Sequence, residues 1–363
     1  MALRDVVGQD RAVGIILGTL RNNRVPSAYL FTGESGIGKK FTALNLAKAL
    51  NCLKDRDALS VTRDRLEEDT HYTSHVSHYD FDACDECGSC RKIDALTHPD
   101  LLTVSPEKGE IRVDEIRGVE DALSLKPYEG RRKVVIIDDA HTMNQSAANA
   151  FLKTLEEPPE ESLLVLVTSH PDMLSETIRS RCSRIPFAPL SPDMCGKVIR
   201  KVRSNGSEES EGIPGLPTAV RLCMGRPGLA ISSDRVRDRE RCITLLEHMV
   251  GGDGEIWADR EEMEEWLDMM CLFLRDMALT KIAQESPETH ARPLGDTQNA
   301  LLNADMQEFV SEMAAPNAIR DILEAYDKVI ALKRVLGFNL NKAIAWNYVA
   351  GIMQNLIRLK RAR

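Results

Sequence analysis

The sequence has no apolar run long enough to cross a bilayer. Its longest such runs, Leu163 to Val167 and Met269 to Leu274, fall far short of the roughly 18 residues a spanning helix needs. The opening residues, MALRDVVGQD, lack the apolar core of an export signal. The expected location is therefore the cytoplasm, with no membrane role. Positive charge is also short: 47 basic against 56 acidic residues give a net charge of −9. A whole-surface nucleic-acid binder would be basic, so any DNA contact has to be local or shared with other chains. A disulfide framework is missing as well. Nine cysteines, an odd number without an export signal, point to metal ligands or packed thiols. No internal repeat is present. What is there, 363 residues of which 43% are hydrophobic, excludes disorder of the whole chain. It implies two or three domains whose cores need no staples.

Residues 1 to about 190 alternate apolar runs with amphipathic stretches. Strands are expected at Ala28–Thr32, Leu101–Ser105, Lys133–Asp138, Leu163–Ser169 and Arg184–Phe187. Helices are expected between them, at Lys39–Leu53, Val113–Leu125 and Asn144–Glu157. Strands separated by helices give an α/β fold with a parallel sheet covered on both faces. Asn144 is a good N-cap and Pro158-Pro159 stop its helix. After Pro189 the pattern turns helical, with short helices over 191–203 and 217–232 and longer ones near 257–284, 317–336 and 341–361. Two stretches without periodicity, 53–83 and 204–217, look like insertions. The acidic residues of 255–268, and Arg358, Lys360, Arg361 and Arg363, read as solvated faces.

Three segments carry chemistry. The first is GESGIGKK, Gly33 to Lys40, which follows the strand AYLFT and opens a helix. That is the context of a phosphate-binding loop. Gly33, Gly36 and Gly38 let the backbone aim its N–H groups inward, and Lys39 would reach the β and γ phosphates of ATP or ADP. The next position should carry a hydroxyl for Mg²⁺; here it is Lys40. Thr42 lies two residues further on and points elsewhere. Two readings stay open: a weak nucleotide site, or a loop that keeps the fold and binds no nucleotide. Asp138 and Asp139 end the third strand, where an acidic pair would hold Mg²⁺ and polarise a water. Asp139 is one methylene short of the glutamate usual at that place.

The second segment is CDECGSC, with Cys84, Cys87 and Cys90 in a C-x2-C-x2-C run, and Cys52 at the end of the helix that follows the phosphate loop. Four thiolates would satisfy one tetrahedral Zn²⁺. An iron–sulfur cluster uses similar spacing. His71, His75 or His78 are alternatives to Cys52 as fourth ligand. The remaining cysteines, at 182, 195, 223, 242 and 271, lie in apolar contexts and read as packing thiols. The third segment is SETIRSRCSRIPF, which sets Arg179, Arg181 and Arg184 just before the fifth strand.

On these residues the chain resembles the delta-prime family of the bacterial DNA polymerase III clamp loader, within the AAA+ class. The N-terminal box VVGQDRAVGIILGTLRNNRVPSAYLFTG, then LNC, CDECGSCRKI, HPDL, NAFLKTLEEPP and SRC in that order, and FNLNKAIAWNYV near the C-terminus, are similar to that family's segments. The resemblance covers the chain apart from the two insertions. It implies a RecA-like P-loop domain over 1–187, a helical lid over 188–240 and a helical collar over 241–363. It further implies a ring with gamma/tau and delta subunits, a sliding clamp as target, and primer–template DNA gripped by the assembled ring.

Gamma/tau subunits are the motors of such rings and delta-prime is the stator. Lys40, Asp139 and Gly228, the last standing where motors carry a sensor arginine in GxxRDAL, favour the stator without ATPase activity of its own. Arg181 would then act in trans on a neighbour's ATP. The rival readings are a self-sufficient gamma/tau-like ATPase, and a zinc-bearing adaptor in which both the phosphate loop and Arg181 are vestigial.

Overall fold

The computed structural model describes residues 1–54, 81–107, 109–204, 215–251, 257–285, 300–335 and 341–358. His71, His75, His78, Lys360, Arg361 and Arg363 lie outside these, as do residues 55–80 and 205–214 of the two expected insertions. The chain divides into two compact units: residues 1–198 with 225–228, and residues 199–224 with 229–363.

The first unit is built on five parallel strands, β1 (Ala28–Thr32), β2 (Leu101–Val104), β3 (Lys133–Ile137), β4 (Ser162–Thr168) and β5 (Ser183–Pro186). They stand in the order β2-β3-β4-β1-β5. The fold is thus the expected α/β class with a parallel sheet, and each strand lies within a residue or two of its expected span. Every residue of β1, β3 and β4 is buried, as in a sheet covered on both faces. The side chains alternate between two cores. Tyr29, Phe31, Val134, Ile136 and Val165 pack on one side with α1 (Asp10–Arg21) and α2 (Lys39–Asn51). Leu30, Val135, Ile137, Leu164 and Leu166 pack on the other with α4 (Val113–Leu123) and α5 (Gln145–Glu156). The short α3 (Gly88–Asp94) runs between Cys87 and β2.

Two of these helices begin as their sequences require. Asn144 accepts the Ala147 N–H at 2.9 Å, and Glu115 accepts the Arg112 N–H at 2.6 Å; each satisfies an otherwise orphaned donor. The chain enters the sheet at β1, crosses to the far edge at β2, steps back through β4 and ends on the other side of β1 at β5. Ligands of open α/β sheets bind beyond the carboxyl ends of strands where such an order reverses, and the end of β1 is that place.

Helix α6 (Glu176–Ser180) precedes β5, and α7 (Pro192–Arg203) follows it. The helical stretch expected over 217–232 is broken into α8 (Leu216–Leu222) and α9 (Pro227–Ser232). Between them Met224 (φ 48°) and Gly225 (φ 83°) turn left-handed. A side chain at Gly225 would meet Pro189 and Leu190 at 2.7–3.0 Å, so the break needs glycine for close approach as well as for φ.

The second unit is helical. Its long elements are α10 (Arg235–Gly251), α11 (Arg260–Glu285), α13 (Ile319–Val335) and α14 (Lys342–Arg358), with the short α12 (Gln307–Ala314) beside them. One core joins them. At its centre Trp257 packs against Trp266 and Trp346, with ring centroids 5.6 and 5.0 Å apart. Trp266 donates its indole N–H to the Cys242 carbonyl at 3.0 Å, the partner a buried indole needs. No helix among the described residues is long and apolar enough to cross a membrane.

Candidate functional site

The loop after β1 has the shape its glycines allow. Gly33, Gly36 and Gly38 have φ of 143°, 80° and 97°, values open to few other residues. Lys39, 6% exposed, turns back and donates to the carbonyls of Gly33 and Glu34, both at 2.6 Å. Burial pulls its pKa down, against the fields of Asp139, Asp138 and Glu34. The structure thus brings Gly33, Gly36, Gly38, Lys39, Asp138 and Asp139 together. Thr42 is fully buried and bonds back to the Gly38 carbonyl at 2.9 Å, so no hydroxyl replaces the missing one.

Lys40 has turned to the acidic strand end. Its ammonium lies 3.0 Å from an Asp138 carboxylate oxygen and 3.4 Å from the Ser105 hydroxyl. Asp139 is left-handed at φ 45° and starts the turn Ala140–Thr142, whose Thr142 N–H bonds back to it. The neighbours of this pair carry no signal in the sequence pattern. His141 meets the Thr168 hydroxyl at 3.2 Å and the ring of His170 at 4.8 Å. Burial lowers its pKa, the Asp139 charge opposes that, and His170 adds to it.

Gly228 closes onto the same loop. Its N–H donates to the Gly36 carbonyl at 2.8 Å, and a Cβ there would stand 2.8 Å from Gly36 Cα and O. Nothing in the sequence links these two glycines, since their contact is made by backbone alone.

The four cysteines form a cluster able to hold a metal ion. The Sγ atoms of Cys52, Cys84, Cys87 and Cys90 lie within 4.8 Å of one another. A tetrahedral zinc–thiolate site has sulfur–sulfur edges of about 3.8 Å, so one ion fits with a small contraction. An iron–sulfur cluster keeps its own inorganic core between the ligands and needs them further apart. Backbone N–H groups face the sulfurs: Cys84 N to Cys52, Cys87 N to Cys84 and Cys90 N to Cys87, at 3.4–3.5 Å. Such donors favour thiolate. At Cys87 burial pushes upward, yet hydrogen bonds with the backbone of Leu53 and Cys90 and with the Cys90 and Cys84 side chains together outweigh it and bring the pKa to about 7. Burial holds Cys90 well above the usual thiol value. Of the alternatives for the fourth ligand, Cys52 is the one the described residues place in the cluster.

Around this cluster Lys48 is fully buried. It pairs with Asp85, with Asp94 at 2.9 Å, and with the Met1 carbonyl. Burial would lower its pKa; the hydrogen bonds it donates to Asp85 and Asp94 raise it above the ordinary value.

Arg181 caps α6. Its guanidinium donates to the Thr177 carbonyl at 3.1 Å and pairs with Glu156, at the end of α5, at 2.7 Å. It therefore has partners within the chain, which the sequence did not reveal. Arg184 bonds the Thr32 hydroxyl at 3.3 Å, and Arg179 faces Asp172 at 3.5 Å. Cys182, half-buried, is pushed up to about 12 by burial, as a packing thiol would be.

The chain is similar to known DNA polymerase III subunits. A family model described as "DNA polymerase III, delta subunit" matches residues 8–71 and 71–191. The delta' subunit of DNA polymerase III from Bacillus subtilis (strain 168) is 25% identical over 364 residues, spanning 96% of this chain and 95% of the relative. The delta' subunit from Escherichia coli (strain K12) is 36% identical over 177 residues, 47% of this chain and 51% of the relative. The tau subunit from the same organism is 35% identical over 186 residues, 51% of this chain and 25% of the relative.

Proposed function

The chain belongs to the DNA polymerase III delta subunit family, and from that premise we propose that it is a delta-prime-type stator, with no ATPase activity of its own, that completes a neighbour's catalytic site. It is a clamp-loader component of the AAA+ class, related to tau and gamma. The observation that carries the stator reading is the Lys40–Asp138 ion pair. In a working P-loop site the Walker-type aspartate and the hydroxyl after the lysine hold Mg²⁺. Here an ammonium takes the aspartate instead. The packing of Gly228 on Gly36 and the short side chain of Asp139 support the same reading. The motor alternative would need all three changes to be harmless at once.

In this reading Arg181 is the catalytic residue, acting in trans. A guanidinium at a subunit interface neutralises charge growing on a transferred γ-phosphoryl group. Before it does so it must exchange Glu156 for phosphate, a swap between two oxyanions that its planar fork accommodates. Gly33, Gly36, Gly38, Lys39, Asp138 and Asp139 remain as a degenerate phosphate cradle, with weak ATP or ADP binding as its upper limit. Cys52, Cys84, Cys87 and Cys90 hold one structural Zn²⁺. Residues 188–240 serve as lid and 241–363 as the collar that joins a ring with gamma/tau and delta. The ring's target is the sliding clamp on primer–template DNA, in the cytoplasm. The test is a reconstituted ring assayed for DNA-stimulated ATP hydrolysis with and without this chain. Stimulation that depends on the chain supports the reading; robust turnover by the chain alone would falsify it.

A further inference from the structure

Two of the segments that carry the family resemblance, LNC and HPDL, contain residues that the stator reading leaves without work. Asn51, His98 and Asp100 are buried, at 1%, 3% and 0% exposure. All three face the same place, the loop that joins α4 to β3. There five consecutive backbone N–H groups are captured by two side chains. Those of Tyr128, Glu129 and Gly130 donate to the Asp100 carboxylate at 2.7–2.9 Å. Those of Arg131 and Arg132 donate to the Asn51 carbonyl oxygen at 2.8 and 3.0 Å. The Asn51 amide returns a bond to the Arg132 carbonyl at 3.0 Å. Glu129 is held from the side by Lys92 at 2.6 Å and faces His98 at 3.4 Å. The approach is close enough that a Cβ at Gly130 would stand 2.7 Å from the Asn51 oxygen.

A surface loop seldom has so many of its donors satisfied by buried side chains, since water is at hand to do it. Here the backbone is fixed while its side chains are offered outward: Leu125 is 66% and Tyr128 85% exposed.

The groups that fix the loop are the neighbours of the cysteines. Asn51 is the last residue of α2 and Cys52 is next to it. Lys92 stands two residues after Cys90 on α3, and α3 leads directly to His98 and Asp100. A metal held by Cys52 on one side and by Cys84, Cys87 and Cys90 on the other ties the end of α2 to the start of α3. Those are the two elements from which the loop hangs.

We propose that the four-cysteine module is the anchor of the loop 124–132: with its metal bound it fixes Asn51 and α3, and through them displays Tyr128 in a single backbone arrangement. This gives the metal a task separate from ATP and from Arg181. It follows by linkage that loop and metal stabilise each other equally, because a coupling free energy is reciprocal.

The test uses the full-length chain, with metal content measured in every sample. Amide hydrogen exchange is compared between metal-bound wild type, chelator-stripped wild type and Cys52→Ser. The expected result is faster exchange at residues 128–132, by about tenfold or more, the equivalent of one lost hydrogen bond, while β1, β3 and β4 stay protected. Unchanged exchange at 128–132 in metal-free protein overturns the proposal. Should metal loss unfold the whole first unit, the reciprocal measurement decides. Asn51→Ala, which removes no metal ligand, is predicted to bind Zn²⁺ about tenfold more weakly in competition with a chromogenic chelator. An affinity equal to wild type overturns the proposal, as does wild-type protein that purifies folded and without metal.

Discussion

The Lys40 ammonium lies 3.0 Å from the Asp138 carboxylate, an internal cation set beside the acid at the end of β3. Isolated chain is therefore expected to show no Mg²⁺-dependent ATP turnover above background. Lys40→Thr supplies the missing hydroxyl and frees Asp138, yet leaves Asp139 and Gly228 as they are. That variant is expected to gain nucleotide affinity at most and no turnover, which a phosphate-release assay with a parallel nucleotide titration would check. Hydrolysis by the single variant would mean that Lys40 alone had silenced the site.

Gly228 meets the loop from the other side. Its N–H bonds the Gly36 carbonyl, and a Cβ would stand 2.8 Å from Gly36 Cα. The atoms it would strike are all Gly36 backbone, so none can rotate away. Gly228→Arg, which restores the residue type found in motors, is expected to destabilise the first unit by about 1–3 kcal/mol without creating turnover. Denaturant unfolding of the two proteins, at unchanged m, gives the comparison. A variant as stable as wild type would show that α9 does not need this contact.

Metal removal has its own signature. Purified chain is expected to carry about one zinc with all-sulfur coordination by X-ray absorption. Cys87→Ser should lose the metal and lower the melting temperature of the first unit, because ligand binding and local folding are coupled. Tryptophan fluorescence reports the second unit separately, since Trp257, Trp266 and Trp346 all lie in its core; it should be unchanged. A fourth ligand other than Cys52 would appear as full zinc content in Cys52→Ser.

In the second unit Arg239, 5% exposed, makes a two-pronged pair with Asp305 at 2.7 Å, and Thr218 bonds the same carboxylate at 3.2 Å. Arg239, with burial opposing it, holds the Asp305 carboxyl below its usual range. A carboxylate with a depressed folded pKa contributes stability above its unfolded value of about 3.9 and loses it as pH falls through the folded value. The unfolding midpoint of this unit should therefore drop with acid below about pH 4. Asp305→Asn should flatten that slope and cost about 1–3 kcal/mol at neutral pH. An identical pH profile in the variant would remove Asp305 as the cause.

How much of this was readable beforehand follows from the range of each interaction. The strands are apolar runs whose burial on two faces is a property of the run itself, and β1, β3 and β4 fell where their composition put them. The positive φ of Gly33, Gly36 and Gly38 and the N-cap at Asn144 follow from local signals. The break at Met224–Gly225 has no local signal, because the close approach to Leu190 that requires it is a tertiary fact. The cysteine spacing points to a metal, but that Cys52 lies beside the other three sulfurs depends on α2 and α3 being side by side. Glu156 as the partner of Arg181, Gly36 as the partner of Gly228, and the capture of residues 128–132 by Asn51 and Asp100 join positions 25 to 192 residues apart. No periodicity or spacing encodes such pairs.

Arg181 bears the central claim, since the reading of this chain as a stator has value only if the chain serves a site it does not own. Its present partners, Glu156 and the Thr177 carbonyl, hold it at the end of α6, where it stays 36% exposed. The measurement is DNA-stimulated ATP hydrolysis by a ring reassembled with wild-type chain, Arg181→Ala or Arg181→Lys, with assembly and zinc content verified in each. An arginine finger is worth on the order of 10³–10⁵ in rate at the site it serves, and the other sites of the ring dilute that loss in the total. Intact assembly, sharply reduced hydrolysis and slow clamp loading are expected with Ala, and poor rescue with Lys, whose ammonium lacks the planar fork. Normal assembly with wild-type hydrolysis and loading by the Ala variant would contradict it, and would leave Arg181 as a surface residue paired to Glu156.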